Sequence, residues 1–362
     1  MKQINALNEN EHGQKKVFYQ VDLATNYFVK NINHLQFGFM NLEAESDIND
    51  YRDKTESYTI MIENLREIVS AALLKYPDDL LVAEAAGNYF SDILSRYYGS
   101  GGYSEMELYD LIIEQYERCL SGGREAEHIY AGLGYIYLMH LSKQSVEKGA
   151  AAYRKALEYN AQSGPYNYYL AQSLYILLQF EEALSYSERA IEYYENDSYK
   201  AYVYMVNGDI HRELEQYENA KTSYENAIAI NSKPVLLWQR LIETLISLED
   251  IDQAEKEAVS FINTNRTNIN NIILIINIFS QKNYDNSPLS ILDTLISECP
   301  ETDTMGQAHL LYSRGIILWG VDNPRAETDL KNAQELLRPL LPKNHYLLNE
   351  IKDALSSIEA GN

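Results

Sequence analysis

The sequence predicts an all-α protein built from antiparallel helix pairs that stack one upon the next into a solenoid. Three observations lead to this prediction. The 362-residue chain is 46% apolar and 23% charged but holds only 8 prolines and 17 glycines, which is typical of a folded helical protein. Amphipathic segments of helical length follow one another in pairs, and similar residues return every 34 to 37 positions.

The predicted helices follow in a regular order. The segment 71–79, AALLKYPDD, reads as the end of a second helix, with Pro77 in the turn that follows it. A glycine-rich loop at 99–105 separates the two helices of the next pair. The predicted pairs occupy, in order, residues 80–120, 127–160, 168–191, 205–228, 239–262, 269–298 and 306–338.

The repeat is visible in two series of residues. One series has steps of 34, 37, 34 and 34, and the other has steps of 34. The first is Ala156, Ala190, Ala227, Phe261 and Leu295, and the second is Tyr204, Trp238 and Ile272. Small residues at fixed places let two helices cross closely, while large apolar residues fill the spaces between them. One such pair cannot bury its apolar face alone, so neighbouring pairs have to stack.

The clearest unit is residues 201–234, AYVYMVNGDIHRELEQYENAKTSYENAIAINSKP. It contains an aromatic residue, a small residue, a tyrosine before the second helix, and then Ala, Tyr and Ala, which are Tyr204, Gly208, Tyr217, Ala220, Tyr224 and Ala227. This pattern resembles the tetratricopeptide repeat (TPR), although His211 replaces the usual aromatic. The resemblance covers about residues 60–338 and is strongest over 127–262. It implies a right-handed superhelix that binds other proteins.

The resemblance divides the chain into three parts. Residues 1–57 do not fit the repeat and are predicted to be an N-terminal helical cap or docking arm, with a helix over 21–40. Residues 58–338 form the TPR-like solenoid. Residues 339–362 follow a proline-bounded turn and are predicted to be a capping helix.

Charge and apolar content exclude several classes of partner. The net charge is −23, from 53 acidic and 30 basic residues, and the densest basic cluster is Lys15-Lys16. Such a surface repels nucleic acid and anionic membranes, and we interpret the charge mainly as a source of solubility. The longest apolar run, 272–279, is too short to span a bilayer. We therefore expect no nucleic acid and no membrane insertion.

The sequence also bears on compartment and chemistry. Two cysteines, Cys119 and Cys299, do not form a disulfide framework and are expected to be small buried hydrophobic residues on helix faces. With no secretory signal pattern at the N-terminus, a cytoplasmic location is predicted, and export by a signal-less route stays open. No histidine pair has metal-ligand spacing, and neither glycine-rich loop has the Lys-Ser/Thr of a phosphate cradle. We expect no enzyme activity, no catalytic residues, no metal and no cofactor.

In TPR proteins the first helix of each pair lines a concave groove, and the residues at the repeat's small-residue position, Gly134, Ala171, Gly208 and Ile242, set the register here. The resemblance then implies a groove that is aromatic in its N-terminal half and of mixed charge further along. Tyrosine suits peptide recognition, since it offers a wide apolar ring and one hydroxyl. The alternative is that these tyrosines pack against a neighbouring repeat. The predicted groove residues are Tyr135, Tyr168, Tyr169, Gln172, Tyr175, Tyr202, Met205, Asp209, Arg212, Gln239, Arg240 and Glu243.

Three functions fit these expectations. The first is a scaffold or adaptor that binds a peptide or helix of a partner protein in the groove. The second is a peptide-sensing regulator that changes conformation on binding, and the third is a homo-oligomer formed through the C-terminal cap. A co-chaperone that grips a C-terminal carboxylate is disfavoured, because only Arg240 fits the cationic positions of that TPR subclass.

Overall fold

The computed structural model describes residues 66–96, 104–139, 142–195, 197–282, 284 and 286–361. The predicted arm at 1–57, with its helix at 21–40, lies outside these residues. Within them all regular structure is helical, which confirms the all-α class. The chain forms two compact units, residues 1–179 and 180–362. The predicted divisions after residues 57 and 338 stay predictions.

Unit 1 contains a helical segment at 66–75 and five further helices. These are α1 (Leu80–Arg96), α2 (Glu105–Ser121), α3 (Glu127–Met139), α4 (Lys143–Tyr159) and α5 (Gly164–Ile176). Helix α1 packs on α2, α3 packs on α4, and α5 packs on α4 and α3. The structure thus confirms the stacked helix pairs that the repeat predicted.

Unit 2 contains ten helices in its described residues. These are α6 (Phe180–Tyr193), α7 (Asp197–Glu213), α8 (Tyr217–Ile230), α9 (Val235–Ser247), α10 (Ile251–Asn265), α11 (Ile269–Gln281), α12 (Ser287–Glu298), α13 (Thr304–Leu318), α14 (Asn323–Leu337) and α15 (Tyr346–Gly361). Successive helices pack from α6 to α14, and the apolar face of α15 covers α14. Cys299 lies just after α12 and is half-buried, so the expectation of a buried helix position was wrong, whereas Cys119 on α2 is buried.

Short polar side chains cap the start of about half of these helices. The hydroxyl of Ser104 accepts the backbone N–H of Glu107, and the Glu107 carboxylate accepts the backbone N–H of Ser104, which completes a capping box. Ser163 caps α5, where Pro165 suits the first turn because it needs no N–H there. Side-chain oxygens likewise cap α10, α11, α13 and α14.

The same turn ends three first helices. Leu178, Glu215 and Glu249 have φ of 61°, 58° and 61°, and they lie 37 and 34 residues apart. The next residue donates its N–H five positions back, as Gln216 does to the carbonyl of His211 at 2.8 Å and Asp250 does to that of Leu245 at 3.0 Å. This is a Schellman motif in which a non-glycine residue takes the left-handed conformation. At Glu215 and Glu249 the sharp turn brings the second helix of the pair back along the first.

A glycine on the first helix and a tyrosine on the second hold three of the pairs together. A Cβ added to Gly87 would lie 2.5 Å from the ring of Tyr116, and one added to Gly208 would lie 2.6 Å from the ring of Tyr224. Gly134 faces Tyr153 at 2.9 Å in the same way. The three rings are at most 3% exposed. Only glycine therefore lets the tyrosine ring lie against the first helix.

We expect Gly208→Ala to lower the free energy of unfolding by about 1 to 3 kcal/mol, because the new methyl group overlaps the Tyr224 ring. Urea unfolding would measure the change. In a Tyr224→Ala background the same substitution should cost nothing, since alanine has the better helix propensity. An equal loss in both backgrounds would contradict the contact.

We expect Glu249→Gly to raise the free energy of unfolding by up to about 1 kcal/mol, because the left-handed conformation strains a residue that carries a Cβ. Gly320→Ala is the reverse control. Its φ is 85° and nothing lies within 4 Å of an added Cβ, so only backbone strain should lower its stability. Thermal unfolding would measure both variants, and melting temperatures that shift in the same direction would refute this account.

Candidate functional site

The twelve predicted groove residues all lie on first helices, and none is fully buried. Tyr135 and Tyr202 are 38% and 48% exposed, and the other ten are half-buried. In unit 1 they belong to α3 and α5, and in unit 2 to α7 and α9. Each unit brings its own set together in a different way.

Unit 1 holds a tyrosine cluster, which we define as Tyr135, Tyr153, Tyr166, Tyr168 and Tyr169. The ring of Tyr169 stacks on that of Tyr153, with centroids 5.5 Å apart and planes at 13°. Tyr135 meets Tyr169 edge-on at 5.9 Å and 77°, and Tyr168 lies 5.1 Å from Tyr169. Tyr169 therefore packs against the neighbouring repeat while part of its surface stays exposed, and its place in a groove stays a prediction.

Polar contacts fix the edges of the tyrosine cluster. The side-chain amide of Gln172 donates to the Tyr168 hydroxyl at 3.2 Å, one helical turn away. Burial, together with a hydrogen bond to Glu127, raises the pKa of Tyr166 to about 12. Tyr175, on the same helix as Gln172, is half-buried.

Asn167 takes a place in α5 where the repeat usually carries a large aromatic residue. Its side chain is fully buried and donates to the carbonyl oxygens of Ala161 at 3.2 Å and Ser163 at 2.8 Å. Trp238 holds the corresponding place in α9, and its indole N–H donates to the carbonyl of Ser232 at 2.8 Å. Both residues thus tie the start of their helix to the preceding turn.

Unit 2 brings four of the predicted residues into one ion-pair network across α7 and α9. Arg212 contacts Glu243 at 3.0 Å, Arg240 contacts Asp209 at 3.2 Å, and Arg240 also contacts Glu243 at 3.4 Å. Two cations and two anions leave the network neutral. Met205 packs on the core of the unit, Tyr202 is exposed and Gln239 is half-buried.

Asp209 is the most constrained member of this network. It accepts a hydrogen bond from the Tyr224 hydroxyl at 2.7 Å as well as pairing with Arg240. Burial nevertheless raises the pKa of Asp209 above its ordinary value of 3.8. The loss of hydration therefore outweighs the two partners, as is common for partly buried ion pairs.

The sequence analysis missed exposed apolar residues on the later first helices of unit 2. Ile273 and Leu274 on α11 are 36% and 37% exposed, and each follows Gln239 or Arg240 by 34 residues. Ile316 on α13 and Trp319 just after it are also exposed. The same 34-residue step, counted from Gln239 and Arg240, predicts Ile273 and Leu274 as the next two positions of the register.

The described residues offer little support for other kinds of site. They contain no group of three or more His, Cys, Asp or Glu side chains placed to hold a metal ion. Among the helices in these residues, none has the length and apolar content needed to cross a membrane.

We expect Asp209→Asn to be at least as stable as the wild type at pH 7, by up to about 1 kcal/mol, because it removes a buried charge and keeps an acceptor for Tyr224. The folded protein binds the Asp209 proton more tightly than the unfolded chain does. Ionisation of Asp209 as the pH rises therefore lowers the free energy of unfolding. The stability advantage of Asp209→Asn should therefore decrease as the pH falls through the raised pKa of Asp209 and vanish below about pH 3.8.

Glu225→Gln is the control for Asp209→Asn in urea unfolding at several pH values, because Glu225 is an exposed acid on the neighbouring helix α8. An equal gain in this control would assign the effect to net charge rather than to burial of Asp209.

No protein-family model matches the sequence, and no curated protein matches it. Among solved structures, part of a TPR protein from Cytophaga hutchinsonii is 13% identical and covers 84% of this chain and 97% of its own, with a TM-score of 0.45. A TPR protein from Parabacteroides merdae is 15% identical, with coverages of 76% and 98% and a TM-score of 0.45. YrrB, a TPR protein with an unusual peptide-binding site, is 22% identical, with coverages of 56% and 99% and a TM-score of 0.33. The repeat lattice of this chain and the helix pairs that it forms have the architecture of tetratricopeptide-repeat proteins.

Proposed function

We propose that this protein is a non-enzymatic adaptor that binds a peptide segment of a partner protein against the tyrosine cluster of unit 1. The observation that carries the proposal is the arrangement of Tyr135, Tyr168 and Tyr169. All three lie on first helices, keep part of their surface open, and form a contiguous set of rings. Tyrosine gives much contact area at a small cost in side-chain entropy, which suits a binding anchor.

The rigidity of the cluster supports the same function. Tyr169 is held against the buried ring of Tyr153, and Tyr168 is held by Gln172. A ring that is already positioned loses little freedom when a ligand binds, so more of the contact energy appears as affinity.

The charge of the chain bears on the kind of partner. A net charge of −23 repels nucleic acids, anionic lipids and acidic segments, and favours a neutral or basic peptide. The neutral ion-pair network of unit 2 would orient the peptide rather than attract it. Its members are Asp209, Arg212, Arg240 and Glu243. We propose a cytoplasmic location for this interaction, as the sequence suggested.

A random dodecapeptide library displayed on phage and panned against the full chain would test the proposal. Clones would be kept only if they fail to bind a Tyr168→Ala/Tyr169→Ala variant. Small-angle scattering with the selected peptide would then separate two roles. An adaptor should keep its dimensions, whereas compaction would identify the peptide sensor instead.

We expect Tyr168→Ala alone to weaken the selected peptide by about tenfold, in line with the loss of a central aromatic anchor. Fluorescence anisotropy of the labelled peptide would measure this. Tyr159→Ala is the matched control, because Tyr159 is a 51% exposed tyrosine on the second helix α4. Equal losses in the two variants, or a library that yields no peptide, would refute the proposed site.

A further inference from the structure

The hydroxyl groups of the three glycine-facing tyrosines meet different surroundings. Tyr116 donates to the side-chain oxygen of Asn88 at 2.8 Å, and Tyr224 donates to that of Asp209 at 2.7 Å. In both cases the acceptor is the residue directly after the glycine that receives the ring, Gly87 or Gly208. The tyrosine ring thus reaches from the second helix across the first, and its hydroxyl meets the side chain of the residue that follows the glycine.

The third pair lacks this acceptor. Tyr153 packs against Gly134, and the residue after Gly134 is Tyr135. Tyr135 carries its only side-chain oxygen at the far end of a ring that lies edge-on to Tyr169. The Tyr153 hydroxyl is fully enclosed and, among the described residues, has no hydrogen-bond partner.

An enclosed hydroxyl without a partner is costly, and most buried polar side chains are satisfied. This hydroxyl lies beneath the one group of rings that the proposed function uses for binding. Phenylalanine would fill the same space without the cost, so the hydroxyl has to be explained by something other than packing.

We propose that the Tyr153 hydroxyl donates a hydrogen bond to a carbonyl oxygen of the bound peptide, which enters when the Tyr135 ring turns aside. This inference rests on the proposed function and names a subsite within it. Tyr135 can act as the cover because it is 38% exposed and touches the cluster edge-on.

The surroundings select a neutral acceptor. The groups that act on the Tyr153 hydroxyl are Tyr135, Tyr166 and Tyr169, none of which is a cation. A carboxylate placed there would be buried without a counter-charge, which is strongly unfavourable. A backbone carbonyl or a side-chain amide oxygen meets the need of the hydroxyl at no such cost.

The first arm of the test needs no ligand. Tyr153→Phe should leave the urea midpoint unchanged or higher, whereas Tyr116→Phe, which loses a satisfied hydroxyl, should lower it. Tyr135→Asn recreates the arrangement of Gly87 and Asn88, so in that background Tyr153→Phe should now lower the midpoint. Tyr135→Ala, which opens the site without supplying an acceptor, is the control. If Tyr153→Phe destabilises the otherwise wild-type chain as much as Tyr116→Phe does, the inference is wrong.

The second arm uses the phage-selected dodecapeptide. Tyr153→Phe should weaken this peptide about three- to tenfold, as expected for one hydrogen bond, and Tyr116→Phe should not change its affinity. Replacing the peptide amides one at a time by esters, which are weaker acceptors, should reveal one sensitive position. That sensitivity should disappear in Tyr153→Phe.

The outcomes separate the two claims. Full affinity in Tyr153→Phe, with loss in Tyr168→Ala, would overturn this inference and leave the proposed function standing. If no peptide is recovered, the proposed function is wrong and the inference falls with it.

Discussion

The contact between a glycine on the first helix and a tyrosine ring on the second is the constraint on which the other features depend. A ring that lies directly against the first helix fixes the distance between the two helices of a pair. It also fixes where the hydroxyl emerges, next to the residue that follows the glycine. In these pairs the tyrosine therefore sets both the packing of the two helices and the position of its hydroxyl group.

This constraint explains why the two units present different surfaces. In unit 2 the hydroxyl of Tyr224 donates to Asp209, and this carboxylate also pairs with Arg240, so an ion-pair network forms around it. In the α3–α4 pair of unit 1 the corresponding residue, Tyr135, is aromatic, and its ring joins the tyrosine cluster instead.

The 34-residue lattice was enough to predict the helix pairs and to assign each groove residue to a first helix, because the register of a repeat is local information. The partners within the groove were not predictable in this way. Pairing of Arg212 with Glu243 depends on the offset between two neighbouring helices, which the sequence does not encode at any one position. The left-handed turn at Glu249 carries no glycine to mark it, and no sequence pattern predicts that the buried amide of Asn167 bonds the preceding turn.

The chain uses tyrosine far more often than phenylalanine, 31 residues against 8. Where the end of an aromatic ring lies near a hydrogen-bond acceptor, the hydroxyl of tyrosine is more favourable than the bare ring edge of phenylalanine. Carboxylates supply such an acceptor in the pairs Tyr109 with Glu105, Tyr137 with Glu117, Tyr224 with Asp209, and Tyr312 with Glu350, of which only Tyr224 with Asp209 joins the two helices of one repeat. Part of the acidic excess therefore serves the tyrosines rather than solubility alone, and the enclosed hydroxyl of Tyr153 departs from this pattern because it has no partner among the described residues.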